Sequence, residues 1–254
     1  MIQPMKSLIF CDIHANLPAL QAVLDAESQC DEVLFLGDAV IGGPQPEEVV
    51  SLLRTLKGVF IAGNHDLELL RTRPDDPPAD NPHHAWTQWS RRNVSSETLE
   101  FLASLPQQRT LQRQGLTLRL FHDRIEGRAD SRIWPDSDDE VFADLIGHFG
   151  RGVLLFGHSH VQFRRELDGS TFVNPGGAGQ PRLGRPLAAY AVLEDGRIEF
   201  RSTPYDAEAV CRAMADMPLP ADFLAEWQQC YRTGVLPARY RLRDFTPLLN
   251  GPYL

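Results

Sequence analysis

Residues 7–40 read SLIFCDIHANLPALQAVLDAESQCDEVLFLGDAV. Two short apolar runs, SLIFC and VLFLG, flank a stretch that reads as a helix over about 17–28. Each run has the length and apolar character of a strand buried on both faces of a sheet. Each also ends on residues that can bind a cation: Asp12 and His14 after the first, Asp38 after the second. The pattern repeats outward along the chain. VFIAG (59–63) runs into Asn64 and His65, LTLRLF (116–121) into His122, and VLLFG (153–157) into His158 and His160. In an open α/β sheet, ligands gather in the crevice beyond the carboxyl ends of the strands. Side chains far apart in sequence therefore converge there, and five such runs in succession mark a site.

The surrounding order is βαβαβ over 7–70, with strands at 7–11, 33–36 and 58–62 and crossovers long enough for parallel pairing. Pro18 sits near the start of the first helix, and Glu47 and Glu48 open the second, where carboxylates suit the helix dipole. RTRPDDPPADNP (71–82) is a loop by its breakers. The segment 83–104 reads as two helical pieces, the second led by Ser95 to Thr98, and forms a wall or lid beside the site. Strand 116–121, helix 139–149 and strand 153–156 follow. Short strands at 162–167, 170–174, 188–193 and 197–203 are punctuated by Asp-Gly turns. Helices at about 206–216 and 220–231 precede a tail, 232–254. Nothing reads as a linker, so residues 1–254 are expected to form one domain.

Composition narrows the function classes. The chain has 254 residues, 43% hydrophobic and 23% charged, as an ordinary globular protein has. No apolar stretch reaches the length of a membrane span. The opening MIQPMKSLIFCDIH lacks the features of a secretory signal, and Cys11, Cys30, Cys211 and Cys230 have no CxxC spacing. Reduced thiols in the cytoplasm are the expectation. The net charge of −9 argues against a surface that grips a nucleic-acid polymer.

The donor inventory is Asp12, His14, Asp38, Asn64, His122, His158 and His160, all nitrogen and oxygen. It favours Mn, with Fe, Zn, Ni or Co as alternatives, over a thiolate zinc site. Seven donors are too many for one tetrahedral ion and suit two ions sharing a carboxylate. Such a pair, about 3.5–4 Å apart, supplies hydroxide near neutral pH and clamps a phosphoryl group. Two dications outweigh two carboxylates and a hydroxide, so the pocket is cationic on an acidic protein.

DIHAN, GD, GNHD, His122 and GHSH, in this order and spacing, resemble the motifs of the calcineurin-like metallophosphoesterase superfamily, nearest its small bacterial and archaeal phosphodiesterase branch. GDAVIGGPQP, NPHHAWTQW and VNPGGAGQPR extend the resemblance over roughly residues 5–230. It implies an α/β fold, a two-sheet β-sandwich flanked by helices in four αββα layers. It implies one ion on Asp12, His14, Asp38 and His160, a second on Asp38, Asn64, His122 and His158, and Asp38 as the bridge. His65 would then be the general acid or bind the phosphate, with Asp66 tuning it. The implied function is hydrolysis of a small or nucleotide phosphodiester. Phosphomonoesters, phosphoproteins and dinucleoside polyphosphates are rivals, and a non-catalytic scaffold of the same fold is the competing class. The partner is a small phosphate ester, with no membrane, and a homo-oligomer stays open.

Three departures from the pattern bear on substrate. GDAVIGG lacks the arginine that follows this motif in protein Ser/Thr phosphatases, Asp123-Arg124 follows His122 where relatives often carry small residues, and Leu183 and Arg185 follow GQPR where acidic residues are common. Several residues keep two readings. Asn64 reads as a ligand or an N-cap, and Asp66 as a catalytic partner or a first-turn acid. Asn174 and Arg182 border the phosphate pocket or merely shape a turn. Trp86 and Trp89 are a core stripe or a stacking platform, while His83 and His84 read as solvated.

Overall fold

The computed structural model describes residues 5–240 except Pro74, Pro78, residues 124–132 and Leu183. Arg124, Leu183 and the end of the tail, 241–254, thus lie outside the described residues. The first sheet contains β1 (Ser7–Phe10), β2 (Glu32–Phe35) and β3 (Gly58–Phe60), all parallel. The second contains β4 (Gln108–Arg113), β5 (Leu116–Phe121), β6 (Val153–Leu155), β7 (Phe163–Leu167) and β8 (Ser170–Asn174), in the order β4-β5-β6-β8-β7. β9 (Leu187–Glu194) and β10 (Arg197–Pro204) return to the first sheet, whose order is β10-β9-β1-β2-β3. The strands that end at the site, β1, β2, β3, β5 and β6, run parallel within their own sheets.

Alternation of side chains explains why these runs are apolar throughout. Ile9, Leu34 and Ile61 face inward and meet Leu118, Leu120, Leu155 and Val173 between the two sheets. Leu8, Phe10 and Phe35 face the other way, onto α1 (Leu17–Ala26), α2 (Pro46–Leu53), α3 (Asn64–Arg71) and, beyond α4 (Pro82–Arg92), α5 (Ser96–Ser104). On the outer face of the second sheet, Leu154, Phe156 and Phe172 pack on α6 (Asp139–Phe149). These are the four expected layers. A side cluster joins Trp86 of α4 to α7 (Ala207–Met214) and α8 (Ala221–Thr233), which leads to a 3₁₀ turn, Ala238–Tyr240.

Local chemistry sets the ends of these elements. Asn16 caps α1 by accepting from the Ala19 N–H at 3.0 Å, and Ser95 caps α5 through the Thr98 N–H at 3.1 Å. α3 begins one residue earlier than its sequence suggests: Gly63 is the N-cap and Asn64 is already helical, so Asn64 does not cap it. β4 was not expected from its sequence. QRTLQR is mostly polar, and as an edge strand it needs no apolar face; Gln114 and Gly115, both at positive φ, turn it into β5.

Candidate metal centre and adjoining cavity

The loops after β1, β2 and β6 place their donors by unusual backbone geometry. Asp12, His14, Asp38, His158 and His160 all have φ between 48° and 69°, a region that non-glycine residues rarely enter. Such geometry costs about 1–3 kcal/mol per residue and persists only where the surroundings enforce it. Here the loops hold one another, through Asp12 N–H to the Gly37 carbonyl at 2.9 Å and His14 N–H to the Asp38 carbonyl at 3.0 Å. The motif glycines allow this approach: a Cβ on Gly63 would overlap Asp38 Oδ1, and one on Gly37 would overlap the Gly63 backbone.

Three histidines are oriented alike. His14 Nδ1 lies 2.7 Å from the Ile41 carbonyl, His122 Nδ1 2.7 Å from that of Leu36, and His160 Nδ1 2.8 Å from that of Gln180. A carbonyl accepts only, so each Nδ1 carries the proton and each Nε2 presents a lone pair. These lone pairs converge on the carboxylates. His160 Nε2 is 3.3 Å from Asp12 Oδ1, His122 Nε2 is 3.1 Å from Asp38 Oδ2, and His14 Nε2 is 3.8 Å from both Asp12 and Asp38. His14 and His160 bring their Nε2 atoms within 3.1 Å of each other, and among the described residues buried His122 Nε2 has no hydrogen-bond partner despite its carboxylate neighbour. Facing lone pairs and an orphaned buried nitrogen beside two carboxylates fit a cation. Asn64 Oδ1 and His158 Nδ1 stand 2.8 Å apart, and the rings of His158 and His122 are 5.8 Å apart.

Electrostatics agree with this placement. Burial lowers His14 and His160, His14 strongly, and pushes His158 down to about 4, so these rings are neutral. Burial also opposes charge on His122, yet Asp38 and Asp12 raise it to about 10, a sign that this point of the site attracts positive charge. Against their burial, the histidines hold Asp12 and Asp38 below the ordinary carboxylate range. Beneath them the Cys11 thiol, kept protonated by burial and by Asp12, donates to Asp12 Oδ2 at 2.9 Å.

The donors open onto a cavity of about 270 Å³ lined by His14, Asp38, His65, His158, His160 and Arg182, among others. His65 is half-buried; its Nδ1 lies 3.0 Å from Glu68 Oε2, and its backbone N–H donates to Asp38 Oδ1 at 2.8 Å. Burial lowers its pKa, but Asp38 and Glu68 more than offset that and raise it.

Several expectations need correction. Asp66 does not face the cavity: it is fully buried and its oxygens accept backbone N–H groups of Asp38, Ala39 and Gly63 at 2.8–2.9 Å. Asn174 is equally buried, bonded to the Gly157 carbonyl, Ser159 Oγ and the Gly176 N–H, and braces the GHSH loop instead of bordering the pocket. Arg182 does line the cavity, with Nη2 3.0 Å from Gln180 Oε1. His83 is not a solvated residue, because its ring lies 6.0 Å from that of His65 and it lines the cavity; His84 is only partly exposed, 3.6 Å from Asp80. Trp86 is both core and cavity wall, whereas Trp89 packs at the edge of the side cluster. Sequence reasoning passed over Glu68, whose i, i+3 spacing from His65 on a helix was a usable signal. It also passed over Trp134, Trp227, Arg239 and Tyr240, for which no local signal exists.

Comparison with known proteins adds the following. The family model of the calcineurin-like phosphoesterase superfamily domain matches residues 5–196. An uncharacterised protein of Methanocaldococcus jannaschii is 31% identical over 247 residues, covering 87% of this chain and 96% of that one. The phosphodiesterase YfcE of Escherichia coli is 26% identical over 204 residues, 75% of this chain and 88% of its own. A metallophosphoesterase from Sphaerobacter thermophilus superposes with a TM-score of 0.77 at 27% identity, over 91% of this chain and 99% of that one.

Proposed function

The chain belongs to the calcineurin-like phosphoesterase superfamily, and from that premise we propose that it hydrolyses a small phosphodiester with two divalent cations, Mn²⁺ first among them. The observation that carries the reading is the convergence of three Nε2 lone pairs and two carboxylates beside one cavity, whose wall includes His14, Asp38 and His160. Asp12, His14, Asp38 and His160 would hold one ion, and Asp38, Asn64, His122 and His158 the other. When bound, the ions supply Lewis acidity toward phosphoryl oxygens and an activated water.

The chain's own residues supply the rest. Glu68 accepts from His65 Nδ1–H, which leaves Nε2 to carry a proton to the departing oxygen. Asn64 and Arg182 stabilise charge on the phosphoryl oxygens. The lining favours a diester over a monoester. Arg239 is already paired with Glu226 at 2.6 Å, and much of the remaining wall is aromatic, which suits a single negative charge and a second ester group. The relationship to the E. coli phosphodiesterase points the same way. α8 packs on α4 through Trp86 and supplies Trp227 to the cavity wall, and α7 packs on α8, so residues 1–254 act as one unit in this reading. The four free thiols suit a reducing cytoplasm.

The test is turnover of bis(p-nitrophenyl) phosphate and p-nitrophenyl phosphate by chelator-stripped protein, with and without Mn²⁺. Activity should vanish on stripping, return with Mn²⁺ and be greater on the diester. Asp38→Asn should lose both ions by metal analysis. Full turnover without metal, or Asp38→Asn with two ions and near-normal turnover, would overturn the mechanism; a monoester preference would overturn the substrate class.

A further inference from the structure

The far wall of the cavity comes from outside the family-matched residues 5–196. Trp227 of α8 and Arg239 and Tyr240 of the 3₁₀ turn line it. Aromatic rings run without a break from the candidate metal centre to this wall. Ring centroids are 5.1 Å apart for His14–His65, 6.0 Å for His65–His83, 6.4 Å for His83–Tyr240 and 5.4 Å for Tyr240–Trp227. Trp227 is only 5% exposed, and among the described residues its buried indole N–H has no hydrogen-bond partner.

We propose that α8 and the 3₁₀ turn form a leaving-group subsite for a nucleoside, with its base against Tyr240 and its phosphate at the metal centre. The proposal rests on the phosphodiesterase reading, because it takes His65 as the group that protonates the departing oxygen. The alcohol that receives this proton leaves on the His65 side of the phosphate, where His83 and Tyr240 are the next rings outward. A flat ring gains from stacking on an aromatic side chain whatever its sequence identity.

Calorimetry on the Mn²⁺-loaded full chain tests this with two probes that differ only in the base, adenosine 5′-monophosphate and ribose 5-phosphate. The nucleotide should bind at least about fivefold tighter. Tyr240→Leu should remove that margin and leave ribose 5-phosphate binding unchanged, while Tyr240→Phe keeps it. Equal affinity of the two probes for the unaltered protein overturns the subsite, whether or not Tyr240→Leu folds. A margin untouched by Tyr240→Leu, with a melting temperature near that of the parent, also overturns it. Failure of the phosphodiesterase reading is separate: it would appear as no diester turnover while the nucleotide margin persists.

Discussion

Glu68 Oε2 lies 3.0 Å from His65 Nδ1, one turn along α3, and Glu68 Oε1 accepts from Thr87 Oγ1 at 2.9 Å. Thr87 belongs to α4, so the carboxylate is held from two helices and in turn fixes one face of the imidazole. A carboxylate in that place selects the tautomer and stabilises the ring's positive charge.

Glu68 is therefore a positioning residue for His65. Glu68→Gln should keep both metals and lose about 10-fold in turnover of alkyl-type diesters, short of the about 10²–10⁴-fold expected for His65→Ala. Nitrophenyl esters need little protonation of their leaving group and should lose less in both variants. Steady-state kinetics on the two substrate types, with metal content measured alongside, checks this. Equal losses on both would mean that Glu68 acts on phosphate placement or on the fold.

Asp66 lies behind Asp38 and ties two loops together through backbone N–H groups of both. Burial and the nearby Asp38 raise its pKa to about 6, even though these N–H groups favour the charged form. In Asp66→Asn the new amide turns donors toward donors and strands at least one buried N–H. The expected cost is about 2–4 kcal/mol, or roughly 5–15 °C in melting temperature for a chain of this size. Weaker Mn²⁺ binding should accompany it, because the Asp38 loop loosens. A variant that melted with the parent but had lost turnover would make Asp66 a direct participant in the chemistry.

The five strand–donor junctions were legible because each combines two local signals, an apolar run and a cation-binding residue at its carboxyl end. What sequence could not convey was the second use of those polar atoms. Asn174 ends β8 just before a loop rich in glycine and proline, where a pocket residue would stand, yet its amide is consumed by Gly157, Ser159 and Gly176. Asp66 and His65 are adjacent, and only the helix start at Gly63 turns one inward and leaves the other at the cavity. His83 reads as solvated in the sequence because its partners, His65 and Tyr240, come from the GNHD helix and the far end of the chain. The outer wall is likewise the product of packing Trp86 against Trp227 and Phe223, at 5.4 and 5.5 Å, a contact with no signature in either segment.

Away from the site, Glu27 at the C-terminal end of α1 is buried between Lys6 Nζ at 2.8 Å and Arg201 Nη1 at 2.7 Å, with the Tyr190 hydroxyl donating at 3.2 Å. These contacts tie the helix to β9, β10 and the residue before β1. Burial works against the charged form of Glu27, but hydrogen bonds from Lys6 and Arg201 prevail and lower its pKa from 4.5. A carboxylate with a depressed folded-state pKa contributes stability that is complete above its unfolded value and is lost as pH falls through the folded one. Glu27→Gln should thus cost about 1–3 kcal/mol at pH 7, moderated because Lys6 and Arg201 keep some contact with water. The difference between variant and parent should shrink as pH drops below 4.5, where the parent's carboxylate also becomes neutral. Urea unfolding of both proteins along a pH series isolates this one group, since the other titrating residues are shared. A difference that stayed constant down to the acid limb would assign the loss to packing and not to the charge on Glu27.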